Sequence, residues 1–575
     1  MTNREIATTL QTIADLLEIK GESRFRVGAY RRAAESLLNL GRDVADVRRE
    51  GALEAVPGVG EAIALKVGEL LDTGRLVYLE TLEAEVPRSL TQLLGVPDLG
   101  PKKIKLFWEK AGVTDLAALE AAAKAGTLRD LPGMGPKSEA KLLEGLASLA
   151  RRSGRTPLGR ALPAAEAQLE RLRAVPGVVR AEAVGSLRRR RETVGDLDLL
   201  VAASDPTAAM DAFTGQASVA RVLGRGDTKA SVEFQDGLRA QLWVHPPERF
   251  GTALVHATGS KEHNVALRER ALARGLSLSE HALTPTDGGP EILLATEEEV
   301  HRALGLPYIP PELREATGEI RAAERGALPE RLEVEHVRAA LHNHSTWSDG
   351  KATIREMAEG AIARGYRVLA ITDHSFGLGI AQGVDAEGLL RQRREIDAVQ
   401  QELGDRLQLL QGIEVEIRAD GTLDLPDDVL EALDVVVASL HVALRQPREQ
   451  VTARALAALR NPHVDILGHP TGRLLPDREG ADLDMDAVLS AARETGTALE
   501  INANPRRLDL PDVYVRRAME LGVMLSINTD AHRVEHYDFL SFGVDVARRG
   551  WVPPEAVINT WATERLVGWL GERKG

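Results

Sequence analysis

The sequence contains no cysteine, so disulfides and thiolate metal ligands are excluded throughout its 575 residues. A reducing compartment is compatible with this absence. The sequence also lacks any apolar run that approaches the roughly 18 residues of a membrane helix. Its amino-terminal segment is amphipathic with interleaved acids and bases, unlike a signal peptide. We therefore expect a soluble, cytoplasmic protein that makes no use of a membrane.

A net positive charge is absent as well, because the formal charge is −14 at pH 7. This balance argues against indiscriminate binding to nucleic acid. The charge is unevenly distributed, however, since residues 151–191 hold eleven Arg and only three Glu. A basic band inside an acidic chain indicates a surface that faces phosphate. The length is sufficient for about four domains.

Histidine is absent from residues 1–244, whereas nine of the fourteen His residues lie in residues 336–575. In that region, apolar segments end in His or acidic residues at intervals of roughly 25 to 45 residues, the length of a βα unit. Residues 497–504 form a further segment of this kind. We predict parallel βα units that close into a barrel and bring these side chains to one mouth. The candidates are His342, His344, Asp349, His374, Glu414, His441, His469, Asp530 and His532.

This set of side chains predicts a metal centre. Imidazole and carboxylate ligands without thiolate favour Zn, Mn or Fe over Mg or Ca. Nine ligands are too many for one ion, so we expect two or three ions, with Glu414 available as a bridge. Clustered divalent ions promote hydrolysis of phosphoesters. A hydrogen-bonded structural role is the alternative for any single His, but its repetition at strand ends argues against that alternative.

Three short turns open helices in the first 150 residues. Two of them, VPGVG and LPGMGPK, leave free backbone N–H groups that can hold a phosphate, and the one between them has Asp98 and Leu99 in place of the first Gly. A single copy is typical of an ordinary helix cap, whereas three copies at about 38-residue spacing look like helix-hairpin-helix elements that grip the DNA backbone. The candidate residues are Gly58, Gly60, Gly133, Gly135 and Lys137.

A second site is predicted in AVGSLRRRRETVGDLDLLV, residues 183–201. The turn at Gly185 and Ser186 opens a helix, and Asp196 and Asp198 follow on a strand. Two Asp residues at positions i and i+2 of a strand share one face, so they repel each other unless a divalent cation lies between them. The turn and the residues 188–191, all Arg, supply donors for phosphate. The pattern favours nucleotidyl transfer, and an ion-paired structural role for the two Asp residues is the alternative.

These motifs resemble known families. The HxH, SDG, TDH, GIE, SLH, GHP and TDAH segments, in this order over about 240 residues, resemble the polymerase and histidinol phosphatase (PHP) domain. GSxRR followed by GDxD is similar to the polymerase beta-like nucleotidyltransferases, and residues 258–283 are similar to the thumb of family X DNA polymerases. The domain order resembles that of bacterial family X polymerases with a carboxyl-terminal PHP domain.

The resemblance implies a multidomain fold. It consists of all-α helix-hairpin-helix modules, an α+β nucleotidyltransferase palm and thumb, and an α/β (βα)7 distorted barrel with three metals held by the nine candidates. We expect six segments: 1–80, helical helix-hairpin-helix domain; 81–155, fingers with two further hairpins; 156–250, palm; 251–315, thumb; 316–335, linker with several possible placements of the two halves; and 336–575, barrel.

Residue roles in the polymerase half also follow from the resemblance. It implies catalytic Asp196 and Asp198 with Mg or Mn; nucleotide contacts at Gly185, Ser186, Arg189 and Asn264; and DNA contacts at Arg268 and Lys66. Relatives keep a Schiff-base lysine at the position of Lys66. The two positions where basic neighbours of that lysine are expected hold Ala62 and Arg26 in this chain, which argues against lyase activity.

The third catalytic carboxylate of the family is expected at a position where this chain has Gln241. The nearby acids Glu233 and Asp236 are predicted at a hairpin tip, where they would not replace it. Gln can coordinate a cation weakly but cannot act as a base, so the polymerase is expected to be weak. Ala257 stands where the family has an aromatic residue that excludes ribose, which predicts relaxed sugar discrimination.

The predicted function is DNA repair by a monomeric enzyme. It would fill gaps with deoxynucleoside triphosphates on gapped, nicked or recessed DNA, and its barrel would act as a 3′→5′ exonuclease or phosphoesterase. The first alternative is a nearly silent polymerase centre in a DNA-bound nuclease. The second alternative is a non-catalytic scaffold that binds DNA ends.

Overall fold

The computed structural model describes residues 1–96, 99–151, 154–377 and 383–573. The chain divides into two compact units, Met1–Gly154 and Arg155–Gly575. Within the described residues, every helix falls short of the length and apolarity needed to cross a bilayer.

The amino-terminal unit is built from short helices. The first begins with a capping box between Thr2 and Glu5 and ends at Gly21 in the left-handed conformation. It buries Ile6 and Leu10 at the spacing expected for one helical face. The helices are α1 Asn3–Lys20, α2 Arg24–Leu38, α3 Val44–Arg49, α4 Glu61–Thr73, α5 Val77–Glu85, α6 Pro101–Ala111, α7 Leu116–Lys124 and α8 Pro136–Arg151.

The second unit begins with a mixed five-stranded sheet of order β2-β4-β7-β6-β5, in which β4 and β7 are parallel. The strands of this sheet and of two small two-stranded sheets, β1-β3 and β8-β9, are β1 Thr156–Pro157, β2 Val178–Val184, β3 Thr193–Val194, β4 Leu197–Ala203, β5 Val219–Arg225, β6 Lys229–Phe234, β7 Arg239–His245, β8 Leu276–Leu278 and β9 Leu283–Pro285. The accompanying helices are α9 Leu158–Arg173, α10 Gly185–Arg188, α11 Thr207–Thr214, α12 Phe250–Thr258, α13 Lys261–Ala273, α14 Glu297–Ala303 and α15 Glu319–Glu324.

Seven parallel strands in sequence order form the predicted barrel. They are β10 Ala339–Ala340, β11 Val368–Ile371, β12 Gln408–Glu416, β13 Val435–Ser439, β14 Ile466–Gly468, β15 Ala498–Asn502 and β16 Leu525–Asn528. A parallel bridge between Asn343 and Ala531 joins the first and last strands just beyond their ends. The helices are α16 Ile354–Ala363, α17 Ala386–Leu403, α18 Asp427–Glu431, α19 Arg448–Arg460, α20 Met485–Thr495, α21 Asp512–Leu521, α22 Leu540–Arg549 and α23 Thr563–Glu572.

The barrel strands are buried on both faces, as the continuous apolar segments predicted. All five residues of β13 are buried, and so are all five of β15. Parallel sheets are covered in this way because each crossover places a helix on the outer face. The carboxyl ends of the strands therefore share one rim, which positions the candidate ligands.

The sheet and the barrel are joined by ion pairs. Arg473 lies 2.7 Å from Glu192, and Arg190 lies 3.2 Å from Asp545. At the same junction, a Cβ atom on Gly159 would lie 2.4 Å from Pro505, so only glycine allows this approach.

The segment predicted as a linker, residues 316–335, is packed at this junction. Leu332 is fully buried, and Arg331 pairs with Glu312 at 2.9 Å. Glu333 pairs with Arg548 of the barrel. The described structure shows one placement of the sheet and the barrel, which these contacts hold. The charged residues Arg331 and Glu333 of this segment form ion pairs with neighbouring elements.

A buried ion-pair cluster holds the thumb region to the sheet. Glu297 lies 2.6 Å from Arg188 and 2.5 Å from Arg314, whose side chain is fully buried. Burial alone would raise the pKa of Glu297, but Arg314 and Arg188 hold it well below its usual value. The carboxylate is therefore ionised. It pairs with both guanidinium groups, whose burial would otherwise be unfavourable.

We expect Glu297→Ala to lower the free energy of unfolding by about 3–5 kcal/mol, because it leaves two buried guanidinium groups unpaired. Urea unfolding at pH 7 measures this loss, with exposed Glu298→Ala as the control. In the parent protein, the contribution of Glu297 is present above its ordinary pKa of 4.5 and is lost as the pH falls through the lower folded value. The two proteins should therefore converge in stability at acid pH, and equal stability at pH 7 would contradict this role.

Candidate active sites

The nine predicted ligands of the barrel converge on its carboxyl-terminal rim. His342 and His344 follow β10, His374 follows β11, and Glu414 lies within β12. The remaining residues follow β13, β14 and β16, apart from Asp349 in the loop after β10. They form four overlapping groups, in each of which the ligand atoms lie within 4.8 Å of one another: His344, Asp349, His374 and His532; His342, His344 and Asp530; His342, Glu414 and His469; and His374, Glu414 and His441.

The Glu414 carboxylate lies at the centre of this arrangement. Five imidazole nitrogens surround its two oxygens, at 2.8 Å for His469, 2.9 Å for His374, 3.3 Å for His342 and His441, and 3.5 Å for His344. Glu414 is buried, which alone would raise its pKa, but the imidazoles hold its pKa well below its usual value. An ionised carboxylate with two such oxygens can bridge two cations.

Several buried atoms of the centre have no hydrogen-bond partner among the described residues. They include Nε2 of His342 and His344, Oε2 of Glu414 and Oδ1 of Asp530. Unpaired polar atoms in a protein interior are costly, and coordination of a cation satisfies them. The donor set, imidazole and carboxylate without thiolate, fits Zn or Mn.

The imidazoles differ in their affinity for protons. Burial, followed by the neighbouring His532 and His374, lowers the pKa of His344 to about 3. Its ring is therefore neutral at pH 7, which is the form that binds a metal. Burial would also lower the pKa of His532, but Asp349 and Asp530 raise it to about 9. In the absence of cations, these carboxylates keep that ring protonated.

Three acidic residues that the sequence analysis missed hold the candidate ligands in place. Glu500 accepts from Nδ1 of His342 at 2.7 Å, and Glu416 accepts from Nδ1 of His441 at 2.7 Å. Asp373 accepts from residues 345, 348 and 392, which fixes the loop that carries Asp349. Glu416 lies two residues beyond Glu414 on one strand, so the period of two could have identified it.

The second candidate site lies where β2, β4 and β7 meet. Asp198 pairs in register with Val184 on one side and Gln241 on the other. A Cβ atom on Gly185 would lie 2.3 Å from Oδ2 of Asp198, so this turn requires glycine. Burial and then the neighbouring Asp196 raise the pKa of Asp198 to about 7. A cation at this pair would remove that repulsion.

Comparison with known proteins identifies the family. The chain is 40% identical to the DNA polymerase/3′-5′ exonuclease PolX of Bacillus subtilis (strain 168), over 99% of each sequence. The chain belongs to the bacterial family X DNA polymerases that carry a PHP domain. Profiles match for a helix-hairpin-helix domain at 1–76, a SAM-like helix-hairpin-helix tandem at 90–148, a DNA polymerase beta thumb at 253–315 and a PHP domain at 340–504.

Two other relatives each match one half of this family X chain. A probable phosphatase of Thermoanaerobacter sp. (strain X514) is 31% identical, over 40% of this chain and 94% of its own. DNA polymerase lambda of Rattus norvegicus is 25% identical, over 54% of this chain and 56% of its own.

Gln241 is the residue that the sequence analysis expects at the position of a third carboxylate. The structure places this residue opposite Asp198, on the neighbouring parallel strand. Glu233 was predicted at a hairpin tip, but it lies within β6 and is fully buried opposite Arg239. Asp236 does lie in the turn between β6 and β7 and pairs with Arg160 at 2.8 Å. On α13, Asn264 donates to the His256 carbonyl at 2.7 Å, and Arg268 follows one turn later.

The four consecutive arginines after Ser186 have specific carboxylate neighbours. Arg188 pairs with Glu297, Arg189 lies 3.0 Å from Glu315, and Arg190 pairs with Asp545. Arg191 lies 3.9 Å from Glu315. The sequence suggested that these charges face phosphate, and the structure shows that they also hold the palm to the thumb and the barrel.

The predicted DNA contacts of the amino-terminal unit lie at helix starts. Gly58 has a positive φ of 80°, and Gly60 directly precedes α4. Gly133 has a φ of 75°, and Gly135 and Lys137 lie at the start of α8. In the middle copy, Gly100 precedes α6, but Asp98 lies outside the described residues.

Lys66 lies on α4 beside an aromatic ring. Its Nζ atom is 4.9 Å from the centre of the Tyr78 ring and donates to the Ala62 carbonyl at 3.0 Å. Arg26 donates to the Tyr78 hydroxyl at 2.8 Å. Burial and then Arg26 lower the pKa of Lys66, which raises its neutral fraction.

We expect Glu500→Gln to weaken metal binding by the barrel by about 10–100-fold, because the carboxylate that orients His342 loses its charge. Metal content after dialysis against buffered Mn or Zn measures the affinity, and Glu520→Gln on the surface of α21 is the control. Equal metal retention by parent and variant would show that Glu500 has no such role.

Proposed function

We propose that this chain is a DNA repair enzyme that joins template-directed gap filling in the palm with 3′→5′ exonuclease or phosphoesterase activity in the barrel. The observation that carries the proposal is the presence of two separate acidic centres in one family X chain. One is the Asp196–Asp198 pair beside the Gly185 turn, and the other is the set of nine side chains around Glu414.

In the barrel, the nine residues would hold a cluster of two or three Zn or Mn ions. Such ions withdraw charge from a phosphoryl group and lower the pKa of water. Glu414 orients five imidazoles at once, and Glu500 and Glu416 fix two of those rings from behind. Arg507 lies 3.4 Å from Asp530 and adds a positive charge beside the centre. A polynucleotide 3′ end, which is anionic, fits this site.

In the palm, Asp196 and Asp198 would hold Mg or Mn. Gly185, Ser186 and Arg189, at the start of α10 and just after it, would contact the triphosphate, while Asn264 and Arg268 on α13 would contact the nascent base pair and the DNA. The partners that fit are gapped, nicked or recessed DNA and deoxynucleoside triphosphates. We propose that the enzyme acts as a monomer with the six segments defined from the sequence.

In the amino-terminal unit, the helix starts at Gly60 and Gly135 would bind DNA phosphates through free backbone N–H groups, with Lys137 and Lys66 adding charge. Contacts of this kind grip the backbone without reading bases. They suit an enzyme whose substrate is defined by a gap or an end and not by a sequence.

The second candidate function is a DNA-bound nuclease with a nearly silent polymerase centre. The observation in its favour is Gln241, which stands opposite Asp198 where the family has a third carboxylate. Glutamine carries no charge and cannot accept the proton of a primer hydroxyl. The two candidate functions differ in the rate of extension and agree on the barrel.

We expect Asp198→Ala to abolish primer extension without changing 3′→5′ degradation, and His344→Ala to do the reverse, because each removes a ligand from one centre only. Extension and degradation of a labelled gapped duplex with Mn measure the two activities. Circular dichroism of both variants controls for folding. The assignment of two independent centres fails if either substitution abolishes both activities in a folded protein.

We expect Gln241→Asp to raise the rate of gap filling by about tenfold or more, since a positioned general base contributes about 10²–10⁴ in rate. Single-turnover extension of a one-nucleotide gap measures this gain. The matched control is Gln241→Asn, which keeps an amide and should not accelerate the reaction. If the Asp variant is no faster than the Asn variant, Gln241 does not occupy the position of the missing carboxylate.

A further inference from the structure

One carboxylate, Glu315, lies between the palm and the barrel. Its Oε1 atom is 3.0 Å from Nε of Arg189 in the palm and 2.9 Å from NH1 of Arg549, the last residue of α22 in the barrel. Arg191 lies farther away, at 3.9 Å. The Glu315 side chain is 11% exposed and that of Arg549 is 4% exposed, so these charges interact with little screening by water.

Glu315 fixes the orientation of the Arg189 guanidinium group. Arg189 donates from Nε to Glu315 and from NH1 to the carbonyl of Thr258 at 2.6 Å. A Cβ atom on Gly259 would lie 3.1 Å from this NH1, so the group packs closely against the backbone at the start of the thumb. Two of the three nitrogens of the planar fork are thus fixed, and NH2 is the nitrogen left to bind a phosphate oxygen.

Arg549 holds both parts of this arrangement from the barrel side. Its NH1 group donates to Glu315 and to the backbone carbonyl of Arg189 at 2.6 Å. Its NH2 group donates to Asp512 at 2.5 Å, which anchors the guanidinium group to α21. Burial alone would raise the pKa of Glu315, but Arg549 and Arg189 keep it below its usual value. The carboxylate therefore stays ionised between the two guanidinium groups.

The shared carboxylate also determines how much positive charge Arg189 can offer. With Arg549 in place, the single charge of Glu315 is shared between Arg549 and Arg189. Without Arg549, the charge of Glu315 would be directed to Arg189 and Arg191 alone and would oppose an approaching polyanion. Removal of a barrel residue should therefore weaken the attraction of the palm for a triphosphate.

We propose that Arg549 is a positioning residue for nucleotidyl transfer. Through Glu315 and the Arg189 carbonyl, it fixes the guanidinium group that receives the triphosphate of the incoming nucleotide. The barrel thereby contributes to the nucleotide affinity of the palm without touching the nucleotide. This inference rests on the proposed nucleotide-binding role of Arg189.

The test compares full-length Arg549→Ala, Arg549→Lys and Glu315→Gln with the parent enzyme. Arg548→Ala is the matched control, because Arg548 is equally part of α22 and contacts Leu332 and Glu333 but not Glu315. Affinity for a deoxynucleoside triphosphate is measured by equilibrium binding to enzyme on gapped DNA with a chain-terminated primer. The Michaelis constant and turnover for gap filling, the exonuclease rate and the melting temperature are measured on the same samples.

We expect Arg549→Ala to weaken triphosphate binding about tenfold, with turnover and exonuclease rate within about twofold of Arg548→Ala. Arg549→Lys should recover part of the affinity, because it restores the charge without the fork. In the Arg189→Ala background, the Arg549→Ala substitution should have no further effect, as expected for residues that act through one another. Glu315→Gln should reduce the affinity in the same direction, because the loss of the ion pair that orients Arg189 outweighs the loss of one opposing charge.

Two results would overturn the inference. One is an unchanged triphosphate affinity in Arg549→Ala relative to Arg548→Ala. The other is a fall in affinity, exonuclease rate and melting temperature together, which would indicate a general loss of structure. If Arg189→Ala itself leaves the affinity unchanged, the proposed nucleotide site fails. If Arg189→Ala weakens binding but Arg549→Ala does not, only the role of Arg549 fails.

Discussion

The barrel depends on a single buried carboxylate surrounded by imidazoles. Glu414 is buried and interacts with five His side chains that come from four strand ends. Burial of so many polar groups without a net attraction would be prohibitive, so the seven strands must meet in a register that brings them to one rim. The architecture of the barrel and its chemistry are therefore set by the same constraint.

The sequence allowed the barrel and its candidate ligands to be predicted because both follow from local periodicity. A His at the end of an apolar segment has its direction set by the strand, and parallel strands share a rim. The residues behind the ligands were not predicted. Glu500 and Glu416 were recognised only when side-chain positions showed which His they accept from. Hydrogen-bond partners that lie 158 residues apart, as His342 and Glu500 do, leave no local pattern.

In the palm too, features set by neighbouring residues were predicted from the sequence, whereas contacts between residues far apart in the chain were not. The paired Asp residues and the Gly185 turn were predicted from spacing, and Gln241, which the resemblance placed at the position of a third carboxylate, lies opposite Asp198 on the neighbouring strand. Glu233 was placed at a hairpin tip because the strand end was predicted too early. The arginines at 188–191 were interpreted from charge alone, whereas their carboxylate partners lie more than 100 residues away.

The packing of residues 316–335 has a consequence for dissection of the chain into halves. Leu332 is buried, and Arg548 donates to the Leu332 carbonyl and pairs with Glu333. A chain cut in this segment would expose an apolar side chain and leave guanidinium groups of α22 without their acceptors. Activities measured on excised fragments would therefore describe proteins that have lost the contacts between residues 316–335 and the barrel. The two halves are better compared by point substitution within the intact polypeptide.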